Sequence, residues 1–339
     1  MNLSDFNFPF DPTLVAKHPI HPRDHARLLV LNRYQNQIVD RQVKDLTDIL
    51  HSGDLVVVND TKVIPARLCG KKVPSGGQIE MLFVKDVDVT HAEVLINGRV
   101  GIGQIVEFQG EARAQVVEKE PGRIVIQWLG PGALPAHLQQ YGDLPLPPYL
   151  KREPVLRDQE DYQTMFANVE GAVASPTAGL HFTPTLIQAL SDKGIFCATI
   201  TLHVGPGTFQ PVKAKLVEDH TMHPEWFDVS EDVVKQIQDV RQHGGRVVAV
   251  GTTVARSLES AANEHGEVRS VAGETQLFIL PGFQFRVVDV LMTNFHFPET
   301  TLLMLVSAFA GVETVRDAYA HAVQERYRFY SYGDAMLIH

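Results

Sequence analysis

The chain has 339 residues, 44% hydrophobic and 21% charged, with a formal net charge of −10. That length exceeds the usual reach of one hydrophobic core, so two domains are expected, and the composition excludes global disorder. The acidic balance argues against a protein that coats nucleic acid nonspecifically, since such affinity comes from neutralising phosphates. Any RNA contact must use local clusters such as Lys71-Lys72, Lys151-Arg152 or Arg326 with Arg328, each of which reads first as solvated surface.

The first six residues lack the basic and apolar regions of a signal peptide. The longest apolar run, 301–311, is about half of a membrane span, so a cytoplasmic protein is expected. Cys69 and Cys197 belong to no Cys-x-x-Cys pair and read as buried, inert thiols.

In chain order, Arg27-Leu28-Leu29-Val30-Leu31 predicts a strand followed by a polar turn at 32–36, and 54–58 predicts a second strand. From about 66 to 127, short alternating runs at 79–84, 92–96, 105–108, 114–117 and 124–128 are separated by Gly, Asp and Glu turns. With no helix pattern among them, they predict a small β-barrel or sandwich. Leu144-Pro145-Leu146-Pro147-Pro148 forbids helix and central strand and reads as the return linker. Beyond it, helices are predicted near 184–193, 230–243 and 253–264, with strands at 196–203 and 246–250. Val254, Leu258, Ala261 and Ala262 share one helical face. The fold class is therefore α/β: a main domain of 1–65 and 145–339 carrying an inserted β-barrel at 66–144.

Several polar segments follow strands, where α/β sheets place ligands. Asn59, Asp60 and Thr61 suit a ribose or an amino acid, and equally an Asx-type turn. In Ser175-Pro176-Thr177-Ala178-Gly179-Leu180-His181, small residues permit close approach while Thr177 and His181 supply polar handles. Thr183-Pro184 reads as an N-cap with proline at the first helical position, so His181 lies near a helix amino end that disfavours a cation. It suits either a neutral base or a bond to a loop carbonyl. His203 precedes Gly205-Pro206-Gly207, a cradle for an anion or flat ring, or a simple turn. His220 and His223 invite a metal but lack a third ligand, and His223-Pro224 argues against a helix there, so no metal is expected. Glu225-Trp226-Phe227 suits an aromatic wall for a base, or plain core.

After the strand 246–250, Gly251-Thr252-Thr253 opens a helix whose free N–H groups, with Thr252, Thr253 and Arg256, suit a carboxylate or phosphate. The segment has neither Gly-x-Gly-x-x-Gly nor a Gly-Lys-Ser/Thr ending, so neither a dinucleotide site nor an NTPase loop is supported. Thr293, Asn294 and His296 sit among apolar neighbours and, if buried, need hydrogen bonds.

From Pro22-Arg23-Asp24-His25-Ala26-Arg27 to Tyr332-Gly333-Asp334-Ala335-Met336-Leu337-Ile338, the chain resembles the S-adenosylmethionine:tRNA ribosyltransferase-isomerase family of queuosine biosynthesis. The strongest segments begin at Asn59, Pro145, Pro176, Thr201, Gly251, Pro281 and Thr293. The resemblance implies a two-domain monomer without metal or cofactor, in which a barrel-like α/β sheet with flanking helices carries an inserted β-barrel. It also implies that S-adenosylmethionine is consumed: its ribosyl part passes to the aminomethyl group of 7-aminomethyl-7-deazaguanine at the tRNA wobble position. Epoxyqueuosine forms, and adenine and methionine leave. Pro206, Gln210, Val254-Ala255 and the stretch Ile96-Asn97-Gly98-Arg99-Val100 depart from the family pattern, and the missing arginine at 210 weighs against an anion contact there.

Because the sulfonium acidifies the neighbouring 5′ carbon, a base is required, and His181, His203 and His296 are the candidates. Thr252 and Thr253 are assigned to the methionine carboxylate, and Asn59, Asp60 and Asn294 to ribose or amine. Tyr332 and Asp334 complete the pocket, while Thr61, Arg67, Thr177 and Arg256 are further substrate-binding candidates. The rival classes are an S-adenosylmethionine-dependent RNA methyltransferase and a non-catalytic RNA-binding protein.

Overall fold

A computed structural model describes residues 1–120, 122–209 and 212–339. Gln210 therefore lies outside the described residues. The chain divides into two compact units: Met1–Lys62 with Glu160–Val169 and Ser175–His339, and Val63–Gln159 with Glu170–Ala174.

Strands β1 (Arg27–Asn32) and β2 (Gln37–Gln42) form an antiparallel hairpin. The Asn32 side-chain oxygen accepts from the Tyr34 and Gln35 amides at 3.1 Å, so the polar turn closes as an Asx turn. A short helix α1 (Leu46–Ile49) leads to β3 (Leu55–Asn59), whose five residues are all buried, and β4 (Thr61–Val63) follows.

The second unit holds β5 (Arg67–Val73), β6 (Gln78–Asp86), β7 (His91–Asn97), β8 (Ile105–Phe108), β9 (Arg113–Glu120) and β10 (Arg123–Trp128). They close into a barrel in the order β10-β7-β6-β5-β8-β9. Alternation fills it with Leu68, Met81, Val94, Val106, Phe108 and Trp128. A Cβ at Gly70 would stand 2.8 Å from Phe108 and Val106 side-chain carbons, so only glycine fits there. Helix α2 (Leu134–Tyr141) sends Leu134 and Leu138 into this core; the sequence reading has no helix there. The unit also extends past the proline-rich stretch to Gln159. There Pro148–Leu150 forms a 3-10 turn, and Arg152 grips Asp158 through two bonds of 2.6 Å.

α3 (Asp158–Asp161) and β11 (Val169–Ala172), which pairs with β4, follow, and from Ser175 the first unit continues with α4 (Pro184–Asp192) and β12 (Phe196–Leu202). It continues through β13 (Glu225–Val229), α5 (Glu231–Gln242), β14 (Val247–Val250), α6 (Thr252–Ala261) and β15 (Val271–Thr275). It ends with β16 (Val290–Asn294), α7 (Thr301–Ala310), α8 (Val312–Gln324) and β17 (Ala335–Ile338).

The nine-stranded sheet runs β15-β13-β12-β3-β14-β16-β17-β1-β2. Its centre, β12-β3-β14-β16, is parallel, while β17 is antiparallel to β16. Continuous apolar runs such as Val56-Val57-Val58 suit strands covered on both faces. One face packs Val56, Val58, Val248, Val250 and Met292 against Phe182, Leu186 and Leu190. The expected caps are present: the Thr183 hydroxyl accepts from the Leu186 amide at 3.1 Å, with Pro184 first in the helix.

The apolar run at 301–311 is α7, buried on nearly all sides and ended by Gly311 at φ +91°. Among the described residues no helix is long and apolar enough to cross a membrane. Both cysteines correct the expectation of burial: Cys69 and Cys197 are exposed, because strand alternation turns them away from the cores that hold Leu68 and Ala198.

Candidate active site

Four neighbouring parallel strands end in the same direction, so the loops leaving β12, β3, β14 and β16 emerge at one edge of the sheet. Just past those strand ends stand His203, then Asp60 and Thr61, then Thr252 and Thr253 at the start of α6, then His296, while Asn59 and Asn294 are the last residues of their strands. Since β17 opposes β16 and pairs Ala335 with Asn294, Asp334 arrives at the same edge.

The β3 and β12 ends are tied together by side chains. Asn59, 2% exposed, uses its carbonyl for the Thr61 and Leu202 amides and its amide for the Leu202 carbonyl, so it clamps two strands. The Asp60 carboxylate accepts from the Thr201 hydroxyl at 2.6 Å. Thr61 Oγ1 lies 2.8 Å from His203 Nδ1, and the half-buried imidazole stacks on Trp226 with centroids 5.1 Å apart. Among the described residues His203 Nε2 has no hydrogen-bond partner. Burial lowers the His203 pKa, against a smaller pull upward from Asp60, so the ring is neutral near pH 7.

His181 ends the 3-10 turn Thr177–His181, whose Thr177 is half-buried. Its Nε2 accepts from the Asn294 amide at 3.3 Å, and the same amide donates to the Tyr330 carbonyl at 2.9 Å. Burial brings His181 down to about 4, with Asp334 pulling up and Arg328 and Arg23 pushing down. His296 is taken by burial to about 3; its Nε2 sits 2.8 Å from Thr293 Oγ1 and its amide donates to the Tyr319 hydroxyl. The Asp334 carboxylate is occupied by the Arg27 and Arg328 amides and the Arg328 guanidinium. Tyr332, 2% exposed, packs edge-on to Tyr162. The three candidate histidines therefore differ in burial: His181 and His296 are buried, 4% and 8% exposed, whereas His203 is half-buried.

Gly251 opens α6 at φ +97°, and its ideal Cβ position lies 3.5 Å from Ala178 Cβ, which places the turn after Pro176 against the helix start. Thr253 Oγ1 is buried without a partner among the described residues. One turn on, Arg256 Nη1 pairs with Glu225 Oε2 and Nε donates to the Leu277 carbonyl at 3.0 Å. Glu225 Oε1 accepts from the Gly205 amide at 3.0 Å. Arg256 and Glu225 border a cleft also lined by Gly207, His220, His223 and Phe278. Among the described residues no group of three or more His, Cys, Asp or Glu is placed to hold a metal ion.

A family model described as queuosine biosynthesis protein matches residues 3–338. The chain belongs to this family. A protein of Stenotrophomonas maltophilia named S-adenosylmethionine:tRNA ribosyltransferase-isomerase is 48% identical over 340 residues, covering 100% of this chain and 98% of that protein. One of the same name from Xanthomonas oryzae pv. oryzae is 46% identical over 345 residues, covering 100% and 97%. The crystal structure of S-adenosylmethionine tRNA ribosyltransferase from Thermotoga maritima aligns with a TM-score of 0.57 at 33% identity, over 99% of this chain and 100% of that one.

Within this family member, Arg67 belongs to the barrel unit, where its guanidinium faces Glu80, Asp143 and Glu153 at 3.4 to 3.5 Å. Glu225 is the residue absent from the sequence-based site. Its signal is a charged residue beside Trp226 and Phe227 at the start of a strand, 9% exposed in the structure and so obliged to find a partner.

Proposed function

We propose that this chain is a cytoplasmic, monomeric S-adenosylmethionine:tRNA ribosyltransferase-isomerase. In this reading it moves the ribosyl part of S-adenosylmethionine to the aminomethyl group of 7-aminomethyl-7-deazaguanine at the tRNA wobble position. Epoxyqueuosine forms, adenine and methionine are released, and no metal or cofactor takes part. The observation that carries the reading is identity near 48% across essentially the whole of chains bearing that name. The sheet edge supplies the chemistry. His203 Nε2 takes the proton from the 5′ carbon that the sulfonium acidifies, with Nδ1–H directed at Thr61. Thr252 and Thr253 at the α6 start suit the methionine carboxylate.

The test is incubation of the purified chain with S-adenosylmethionine and tRNA bearing the aminomethyl base. Adenine and methionine should appear in step with the epoxide-bearing nucleoside, and tRNA lacking that base should release none. S-adenosylhomocysteine as the product would assign a methyltransferase instead.

A further inference from the structure

A cleft beside α6 is lined by residues of the segment between β12 and β13, of α6, of residues 277–279 and of α7. Its walls combine apolar side chains, Met222, Leu277, Phe278, Leu302 and Leu305, with the polar groups of His220, His223, Glu225 and Arg256. Arg256 is 6% exposed, and its Nη2 is buried without a hydrogen-bond partner among the described residues. A donor left unsatisfied in such a place is costly, and a ligand acceptor recovers that cost.

Charge selects the ligand. Glu225 pairs with Arg256 and cancels it, with both carboxylate oxygens already occupied. Burial, with a smaller contribution from a charge on His223, lowers the His220 pKa. Glu225 offsets the Arg256 charge and disfavours a strongly anionic ligand, whereas a flat, neutral ring with nitrogen acceptors suits apolar walls beside the Arg256 donor. Phe278 stands edge-on to His220, centroids 5.5 Å apart, adding aromatic surface. Gly207 completes the shape: a Cβ there would meet His223 Cδ2 at 2.7 Å, so only glycine lets that ring lie against the loop. The same loop begins at His203, four residues earlier, so base and cleft are joined by one short run of chain.

We propose that this cleft is the purine seat, holding the adenine ring of S-adenosylmethionine and then free adenine, with Arg256 Nη2 donating to a ring nitrogen. The assignment rests on the reading given under Proposed function and places that substrate's base within it.

Equilibrium dialysis of radiolabelled adenine against the full chain tests it. One saturable site per chain is expected, displaced by S-adenosylmethionine but not by methionine. Leu302→Trp, at a half-buried position on the cleft wall, should weaken adenine at least tenfold with an unchanged melting temperature. The double variant Arg256→Met, Glu225→Gln removes the donor without stranding a charge and should weaken it similarly. Absent saturable adenine binding, displacement by methionine, or full affinity in Leu302→Trp overturns the assignment. Adenine release is scored separately. Turnover without cleft-dependent adenine binding sinks only the purine seat, whereas cleft-dependent binding without turnover sinks the reaction.

Discussion

The two edges of the parallel sheet differ in what they leave unpaired. At the amino edge, Asp54 is 1% exposed and its oxygens take the His51 and Arg246 amides and the Arg246 guanidinium at 2.6 to 3.1 Å. Nearby, Asp289 accepts from the Val247 amide at 2.8 Å. At the carboxyl edge, Thr253 Oγ1, Arg256 Nη2 and Asn294 Oδ1 are buried without partners among the described residues. The first pattern fastens strands to one another. The second keeps hydrogen-bonding capacity in reserve at a cost in stability, as a ligand site does.

Substitutions at the two edges should therefore give opposite signatures, with the largest effect at the carboxyl edge. His203→Ala should slow adenine release by about 10²–10⁴-fold, the usual worth of a positioned base, with little change in melting temperature. Normal turnover in that variant would move the base to another group. Asp54→Ala should do the reverse: it leaves the Arg246 charge and several amides unpaired and should cost about 3 kcal/mol in urea unfolding, while the folded fraction keeps its turnover. A drop in turnover per folded molecule would erase the distinction between the edges.

Acid should expose a third, smaller difference, set by the sealed histidines. His181 has a folded pKa of about 4, below its ordinary 6.5, so between those values the unfolded chain binds a proton that the folded chain refuses. Stability is then complete above about pH 7 and falls as pH drops through 6.5 toward 4. By pH 5 the loss from this group is about 2 kcal/mol. His296, held near 3, acts in the same direction. Unfolding at pH 7.5 and pH 5 measures the slope, and His181→Gln should reduce it by about half, leaving the part that His296 contributes.

How much of this was legible in sequence varied with the kind of residue. The barrel announced itself because half-buried strands alternate, as Ile79, Met81 and Phe83 do in β6. Helix α2 did not, because Pro135 in its first turn and only eight residues leave too little periodicity. Strand β17 is four buried residues at the chain end, where an apolar run carries no period at all. In the site, the polar loops after strands were visible because buried polar residues are conspicuous. Their roles were not, since Asn59 as clamp and His203 as open imidazole differ only in partners brought from other strands. The Arg256–Glu225 pair spans 31 positions and two elements, which no local pattern encodes.

The smallest predicted effect is the most discriminating. For Nε2 of His203 to accept a proton, the neutral ring must carry its hydrogen on Nδ1, and Thr61 Oγ1, 2.8 Å away, is the acceptor that holds that tautomer. Thr61 is thus a positioning residue. Thr61→Val should lower kcat about tenfold with KM for S-adenosylmethionine unchanged. It should also shift the acid limb of the pH–rate profile to lower pH, because the charged ring loses an acceptor that favours it. Thr61→Ser, which keeps the hydroxyl, should restore both. A hydroxyl that served only packing would lower the melting temperature and leave the acid limb in place, and that result would remove His203 Nε2 as the base.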